Sequence, residues 1–182
     1  MKISSLRIPD VLLIEPSFIE DSRGVFFESF NQKTLEKNTL SKISFVQESQ
    51  SESFKGVLRG LHYQIPPFAQ AKLIRVIKGK VMDVVVDLRR SSPYFSKFII
   101  TILSGTNKKQ LYIPEGFAHG FLTLSTSAEF LYKTTNHYNQ DFERCIIWND
   151  LFLNIPWPKN TDIKLSTRDQ HGLKFLSSDM FE

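Results

Sequence analysis

Five side chains, spread over much of the chain, belong to the types from which proton-transfer chemistry is built. His62 sits in Arg59-Gly60-Leu61-His62-Tyr63-Gln64, Lys72 follows the turn at Pro66-Pro67, and His119 lies in Pro114-Glu115-Gly116-Phe117-Ala118-His119-Gly120. Tyr132 falls in Ala128-Glu129-Phe130-Leu131-Tyr132-Lys133-Thr134, and Asp169 in Ser166-Thr167-Arg168-Asp169. A hairpin centred on Pro67 sets His62 opposite Lys72, with Cβ atoms about 5 Å apart. Strand alternation then gives His62 the face of Leu58 and Gly60, and Lys72 that of Ile74 and Val76. Two cations satisfy nothing in an apolar cavity, but they have a use if an anion forms between them. The same residues admit a structural account, in which Lys72 snorkels to solvent and His62 is a core histidine with a backbone partner. Tyr132 is then a packed ring with its hydroxyl bonded, and Asp169 an acid in the first turn of a helix. Spacing alone leaves both accounts open.

Four histidines also raise a metal site. Pro114–His119 resembles the second motif of the cupin superfamily, Pro-x-Gly-x-x-His, which ends in a metal ligand. Metal-binding cupins add a His-x-His pair and a Glu from their first motif. Here Gln64 stands where the second histidine belongs, and Lys72 lies in the following strand. Gln is a poor substitute for imidazole, and an ammonium repels a divalent cation. On ligand count, no metal is expected.

The elements that must hold these residues are short strands. Gly24–Phe30, Val57–Gln64, Lys72–Ile77, Val81–Leu88, Phe95–Leu103 and Ala128–Thr134 are rich in branched and aromatic residues. Lys78-Gly79-Lys80 reads as a hairpin turn, and Arg90–Pro93, Ser104–Asn107 and Ser125–Ser127 as loops. Helices are predicted only at Gln32–Lys37 and, briefly, after Ser166 as cap. Many short strands without helix alternation predict an all-β sandwich or barrel. The 182 residues, 41 % of them hydrophobic with 16 Phe, form one domain with a closed core. Residues 173–182 are read as a loose tail.

Composition narrows the partners. Lys and Arg number 23 against 19 Asp and Glu, a net charge of +4, with no run of five like charges. Nucleic acid is therefore not expected, whereas an anionic small molecule needs only two or three placed cations. The single cysteine, Cys145, excludes an intrachain disulfide and points to a reducing, cytoplasmic setting. The longest clean apolar run, about Phe98–Leu103, is far short of the roughly 20 residues a spanning helix needs. The apolar piece Val11–Ile14 is too short for a signal peptide.

Taken in order, several segments closely resemble the dTDP-4-dehydrorhamnose 3,5-epimerase family. They are Asp21–Gly24 with Phe27–Ser29, Gly56–Gln64 with Pro66-Pro67, Ala69–Leu73, Val84–Ser92, Gln110–Leu122 and Glu129–Thr135. The likeness runs from about residue 5 to residue 170. It implies a cupin-type jelly-roll barrel (a double-stranded β-helix) with short peripheral helices and no cofactor. It also implies a homodimer, with strands and an arm from about residues 1–50 at the interface. The substrate would be a dTDP-linked 4-keto-6-deoxyglucose inverted at C3 and C5. Relatives that invert one carbon only, or take another nucleotide-linked keto sugar, and non-catalytic sugar-binding cupins are the alternatives.

The resemblance also implies roles. His62 is the base, Asp169 orients its ring, Lys72 meets the enolate at the C4 oxygen, and Tyr132 returns a proton from the opposite face of the sugar. Arg23 and Arg59 match diphosphate-binding positions, and Tyr138 one that stacks on thymine. Glu28, Gln47, His119 and Glu143 match sugar- or nucleotide-contacting positions, and Arg168 replaces a common Lys. Ser49 stands in Gln47-Glu48-Ser49-Gln50-Ser51 where the family often has Asn, so an altered nucleotide contact or substrate preference is expected there. Arg59 and His62 have opposite parity on a regular strand; a bulge at Gly60, or contact across a dimer, brings both to one site.

Overall fold

The run Val81-Met82-Asp83-Val84-Val85-Val86 shows no polar alternation, because its strand is buried on both faces. A computed structural model describes residues 1–182 and places that strand near the middle of a five-stranded sheet. The sheet comprises β6 (Leu58–Gln64), β8 (Lys80–Asp87), β9 (Phe98–Ser104), β11 (Phe117–Thr123) and β13 (Glu143–Cys145), in the order β13-β6-β11-β8-β9. Facing it is a six-stranded sheet of β1 (Lys2–Ser5), β2 (Leu12–Glu15), β5 (Gln47–Phe54), β7 (Lys72–Lys78), β10 (Gln110–Ile113) and β12 (Ser127–Thr134). Its order is β1-β2-β10-β7-β12-β5. All named pairings are antiparallel, and the chain repeatedly crosses between sheets, which makes this a cupin-type jelly roll.

Three apolar clusters hold the layers. Between the sheets lie Ile74, Val76, Val81, Val85, Leu111, Phe121 and Phe130 among others, with Phe121 and Phe130 stacked at 4.3 Å. On the outer face of the five-stranded sheet, Leu58, Leu61, Met82, Val84 and Val86 pack under Ile146, Leu153, Trp157 and Phe175 from the C-terminal segments. The outer face of the six-stranded sheet is covered by α1 (Gln32–Thr39), which Asn31 caps and which inserts Leu35 against Leu12, Ile14 and Leu73.

Two turns act differently from their sequence reading. Residues 65–71 do not close a β6–β7 hairpin; β6 pairs with β11 and β13, whereas β7 pairs with β10 and β12. Lys78-Gly79-Lys80 is likewise an arch from one sheet to the other. In both cases the core between the layers is filled by passing the chain across it, which local turn chemistry does not report. The expected loose tail is docked. Phe175 is fully buried, Phe181 N donates to Leu88 O, and Tyr63 Oη donates to Asp179 O at 2.6 Å. No helix is long and apolar enough to cross a membrane.

A further two-stranded sheet, β3 (Phe18–Asp21) and β4 (Gly24–Phe27), stands apart from both layers. It leaves Phe18, Ile19, Val25 and Phe26 exposed.

Candidate active site

One end of the space between the sheets stays open as a cavity of about 260 Å³, and its walls come from both layers. His62, Arg59 and Gln64 reach it from β6, His119 and Phe121 from β11, and Glu143 from β13. From the facing sheet come Gln47 and Ser51 of β5, Lys72 of β7, and Phe130, Tyr132 and Thr134 of β12. Tyr138 and Arg168 close the rim.

Arg59 and His62 share this cavity because β6 is irregular between them. His119 pairs with His62 but Phe121 with Arg59, so three steps on β6 match two on β11. Gly60 occupies the bulge at φ +120°, a left-handed value that other residues rarely adopt. A Cβ there would lie 2.6 Å from Gly120 Cα and 2.7 Å from His119 O. The bulge also turns His62 away from the face of Leu58, which packs in the outer cluster. His62 and Lys72 therefore approach from opposite sheets rather than as cross-strand neighbours.

The His62 ring is fixed from behind. Its Nε2 lies 2.5 Å from Asp169 Oδ1, while Nδ1 has no protein partner. Asp169 comes from α2 (Thr167–Gln170), whose cap Ser166 accepts from the Asp169 backbone N–H and donates its hydroxyl to Oδ2 at 2.7 Å. The Gly60 N–H also points at Oδ1. Burial raises the Asp169 carboxyl, but His62, Ser166 and Gly60 outweigh it and hold the group below its ordinary range. Cys145 faces His62 across β13 and β6, with Sγ 3.8 Å from Asp169 Oδ1. Burial, with Asp169 beside it, pushes this thiol up to about 12, so it stays protonated. The ligating atoms of His62, Cys145 and Asp169 fall within 4.8 Å of one another, and two of the three are already joined to each other.

Lys72 has no hydrogen-bond partner in the protein, and burial lowers its ammonium to about 8 against the pull of Glu143 and Asp83. Tyr132, half-buried, also leaves its hydroxyl unpaired. His119 Nε2 bonds Asp83 Oδ2 at 2.8 Å, and its ring stacks near Phe130.

The rim is polar and interconnected. Glu143 Oε2 accepts from Tyr138 Oη at 2.8 Å and from Arg168 Nη1. Gln47 accepts from the Tyr138 backbone N–H and donates to Ser49 Oγ at 3.2 Å. Arg59 Nε donates to Ser53 Oγ at 2.9 Å. Ser49 meets the site only through Gln47, and two further expected residues do not line the cavity. Arg23 is exposed and forks onto Asp21, and Glu28 accepts from Asn31 on the surface. Both belong to the segment around the β3–β4 hairpin, which leaves the body of the chain. Spacing also passed over Ser53, Asp83 and Ser166, which touch the site residues from behind; Ser166 alone carried a signal, as a helix cap.

An oriented imidazole facing a tyrosine and an ammonium across a jelly-roll cavity defines an acid–base enzyme of the cupin type. Comparison with known proteins narrows this class. The family model for dTDP-4-dehydrorhamnose 3,5-epimerase matches residues 5–177. The chain is 52 % identical over 181 residues to the dTDP-4-dehydrorhamnose 3,5-epimerase of Shigella flexneri, covering 100 % of this chain and 99 % of that one. It is equally similar, at 52 % and the same coverage, to the enzyme of that name from Pseudomonas aeruginosa. Its fold superposes with a TM-score of 0.94 on the dTDP-6-deoxy-D-glucose-3,5-epimerase of Legionella pneumophila, solved in complex with dTDP-4-keto-L-rhamnose. That pair shares 43 % identity and covers 98 % and 94 % of the two chains. The chain belongs to the dTDP-4-dehydrorhamnose 3,5-epimerase family.

Proposed function

We propose that this chain converts dTDP-4-dehydro-6-deoxy-D-glucose into dTDP-4-dehydro-L-rhamnose by inverting C3 and C5. The observation that carries the proposal is that His62 and Tyr132 stand on facing sheets of one cavity, with Lys72 on the Tyr132 side. Inversion needs a proton removed from one face of the sugar and delivered to the other, which one residue cannot do alone. The C4 ketone makes the adjacent protons acidic, because the resulting charge rests on oxygen as an enolate.

His62 takes the proton at C5 or C3 through Nδ1, and Asp169 stabilises the imidazolium that results. The Lys72 ammonium stabilises the enolate in a cavity where water competes poorly. The Tyr132 hydroxyl then protonates the carbon from the other side. Both groups regain their starting state by proton exchange with solvent. Arg59 and Arg168 are assigned to the diphosphate, Tyr138 to stacking on thymine, and Gln47, Ser49, His119 and Glu143 to the sugar and nucleoside.

We assign Arg23 and Glu28 to a neighbouring cavity, reached when the β3–β4 hairpin of a second copy packs alongside. The exposed Phe18, Ile19 and Phe26 of that hairpin support a homodimer. The single thiol supports a cytoplasmic setting.

Turnover in deuterated water tests the reading. Deuterium at both C3 and C5 of the product is expected; label at one carbon only would make the chain a mono-epimerase. Sedimentation at micromolar concentration should give twice the chain mass.

A further inference from the structure

Residues 135–139 follow the end of β12 and carry Tyr138, whose ring stands half exposed at the cavity rim. A surface loop of this kind usually turns its backbone to water. Here four consecutive residues turn theirs inward, onto three glutamine side chains from three different segments. Gln70 Nε2 donates to Asn136 O at 2.8 Å, and Gln64 Nε2 to His137 O at 3.1 Å. Gln47 Oε1 accepts from the Tyr138 N–H at 2.9 Å, and Gln64 Oε1 from the Asn139 N–H at 2.7 Å. Gln64 is 4 % exposed, and its Nε2 also donates to Phe68 O at 2.6 Å. Asn136 Nδ2 reaches back to Pro67 O, so the loop and the 65–71 crossover are joined in both directions.

Each amide has one orientation that fits. Gln64 meets two carbonyls with its nitrogen and one N–H with its oxygen, and a flip would break all three bonds. Gln47 is held likewise, because its Nε2 donates to Ser49 Oγ at 3.2 Å while its oxygen faces Tyr138. At the far end of the ring, Tyr138 Oη donates to Glu143 Oε2 at 2.8 Å. The aromatic face is therefore fixed by the protein alone, and a planar ligand need not order it on arrival. We infer that Gln64 and Gln70 are positioning residues, which together with Gln47 hold the Tyr138 ring as a rigid platform for the nucleotide base. Gln64 stands where a metal-binding cupin carries a histidine, and this chain commits that position to the backbone of the loop. The nucleotide part rests on the proposed stacking of Tyr138 on thymine; the clamp itself stands on the hydrogen bonds.

Amide exchange followed by NMR on the ligand-free wild type tests the clamp first. The Tyr138 and Asn139 amides should exchange about a hundredfold or more slowly than in an unstructured chain. Unprotected amides overturn the clamp, with no variant needed. Gln64→Met is the second arm, because it keeps the length of the side chain and removes both donor and acceptor. It should speed Asn139 exchange about tenfold and raise the Kd for dTDP, read by calorimetry, about tenfold. An unchanged Kd in a folded variant overturns the positioning role. In a Tyr138→Ala background the same substitution should cost less than about twofold, since the ring it positions is gone. A full tenfold loss in that background would mean that Gln64 acts on the nucleotide by another route, and overturns the inference. Wild-type protein that protects both amides but fails to bind dTDP would count against the proposed function and not against the clamp.

Discussion

Asp169 Oδ1 and His62 Nε2 lie 2.5 Å apart, although 107 residues separate them in the chain. The contact leaves Nδ1 as the basic nitrogen. Asp169→Asn can still accept the Nε2 proton through its amide oxygen, but it removes the charge that stabilises the imidazolium. We expect kcat to fall by about 10²–10⁴, the range typical of a positioned base, while dTDP affinity changes little. Stopped assays with dTDP binding by calorimetry check both halves.

Tyr132 is assigned to delivery rather than removal of the proton. Tyr132→Phe should still let His62 exchange the substrate proton with solvent, but inversion should drop about a hundredfold or more. Mass spectrometry of recovered substrate after incubation in deuterated water distinguishes the roles. Loss of exchange in step with loss of product would place Tyr132 in the first step instead.

Burial lowers the Lys72 ammonium to about 8, so the charged form is present below that pH and is lost as pH rises through it. Because the enolate needs the charged form, kcat/KM should be level near neutrality and decline above about 8. Lys72→Met should remove that limb with most of the activity. A limb retained in the variant would belong to another group.

Gly60 makes the bulge that brings Arg59 and His62 to one wall. Gly60→Ala combines a left-handed backbone with overlaps onto Gly120 and His119 backbone atoms. A loss of about 1–3 kcal/mol in urea unfolding is expected from the backbone alone. Turnover should fall further than stability, because His62 swings with the strand.

The local reading of the chain went far in places where neighbours in sequence are neighbours in space. β6, β7, β8 and β12 lie within a few residues of their expected bounds, and the cap at Ser166 starts a helix as its residue type predicts. Strand β5 carries no such signal, because Gln47, Ser49, Ser51 and Ser53 alternate on the face from which Gln47 and Ser51 line the cavity, and polar residues replace the apolar alternation that marks a strand. A strand wall that faces a polar ligand carries no hydrophobic signal.

By itself the sequence determined the residue types, the strand content and, through its motifs, the family to which the chain belongs. It could not say that β6 and β7 part company after Pro67, since the choice between hairpin and crossover depends on which layer needs filling. That choice put His62 and Tyr132 on facing walls instead of leaving His62 beside Lys72. The tertiary structure also decided that Asp169 meets His62 rather than merely opening a helix, and that Asp83 stands buried behind His119. These contacts are long-range, and their energies come from desolvation and geometry that no local spacing encodes.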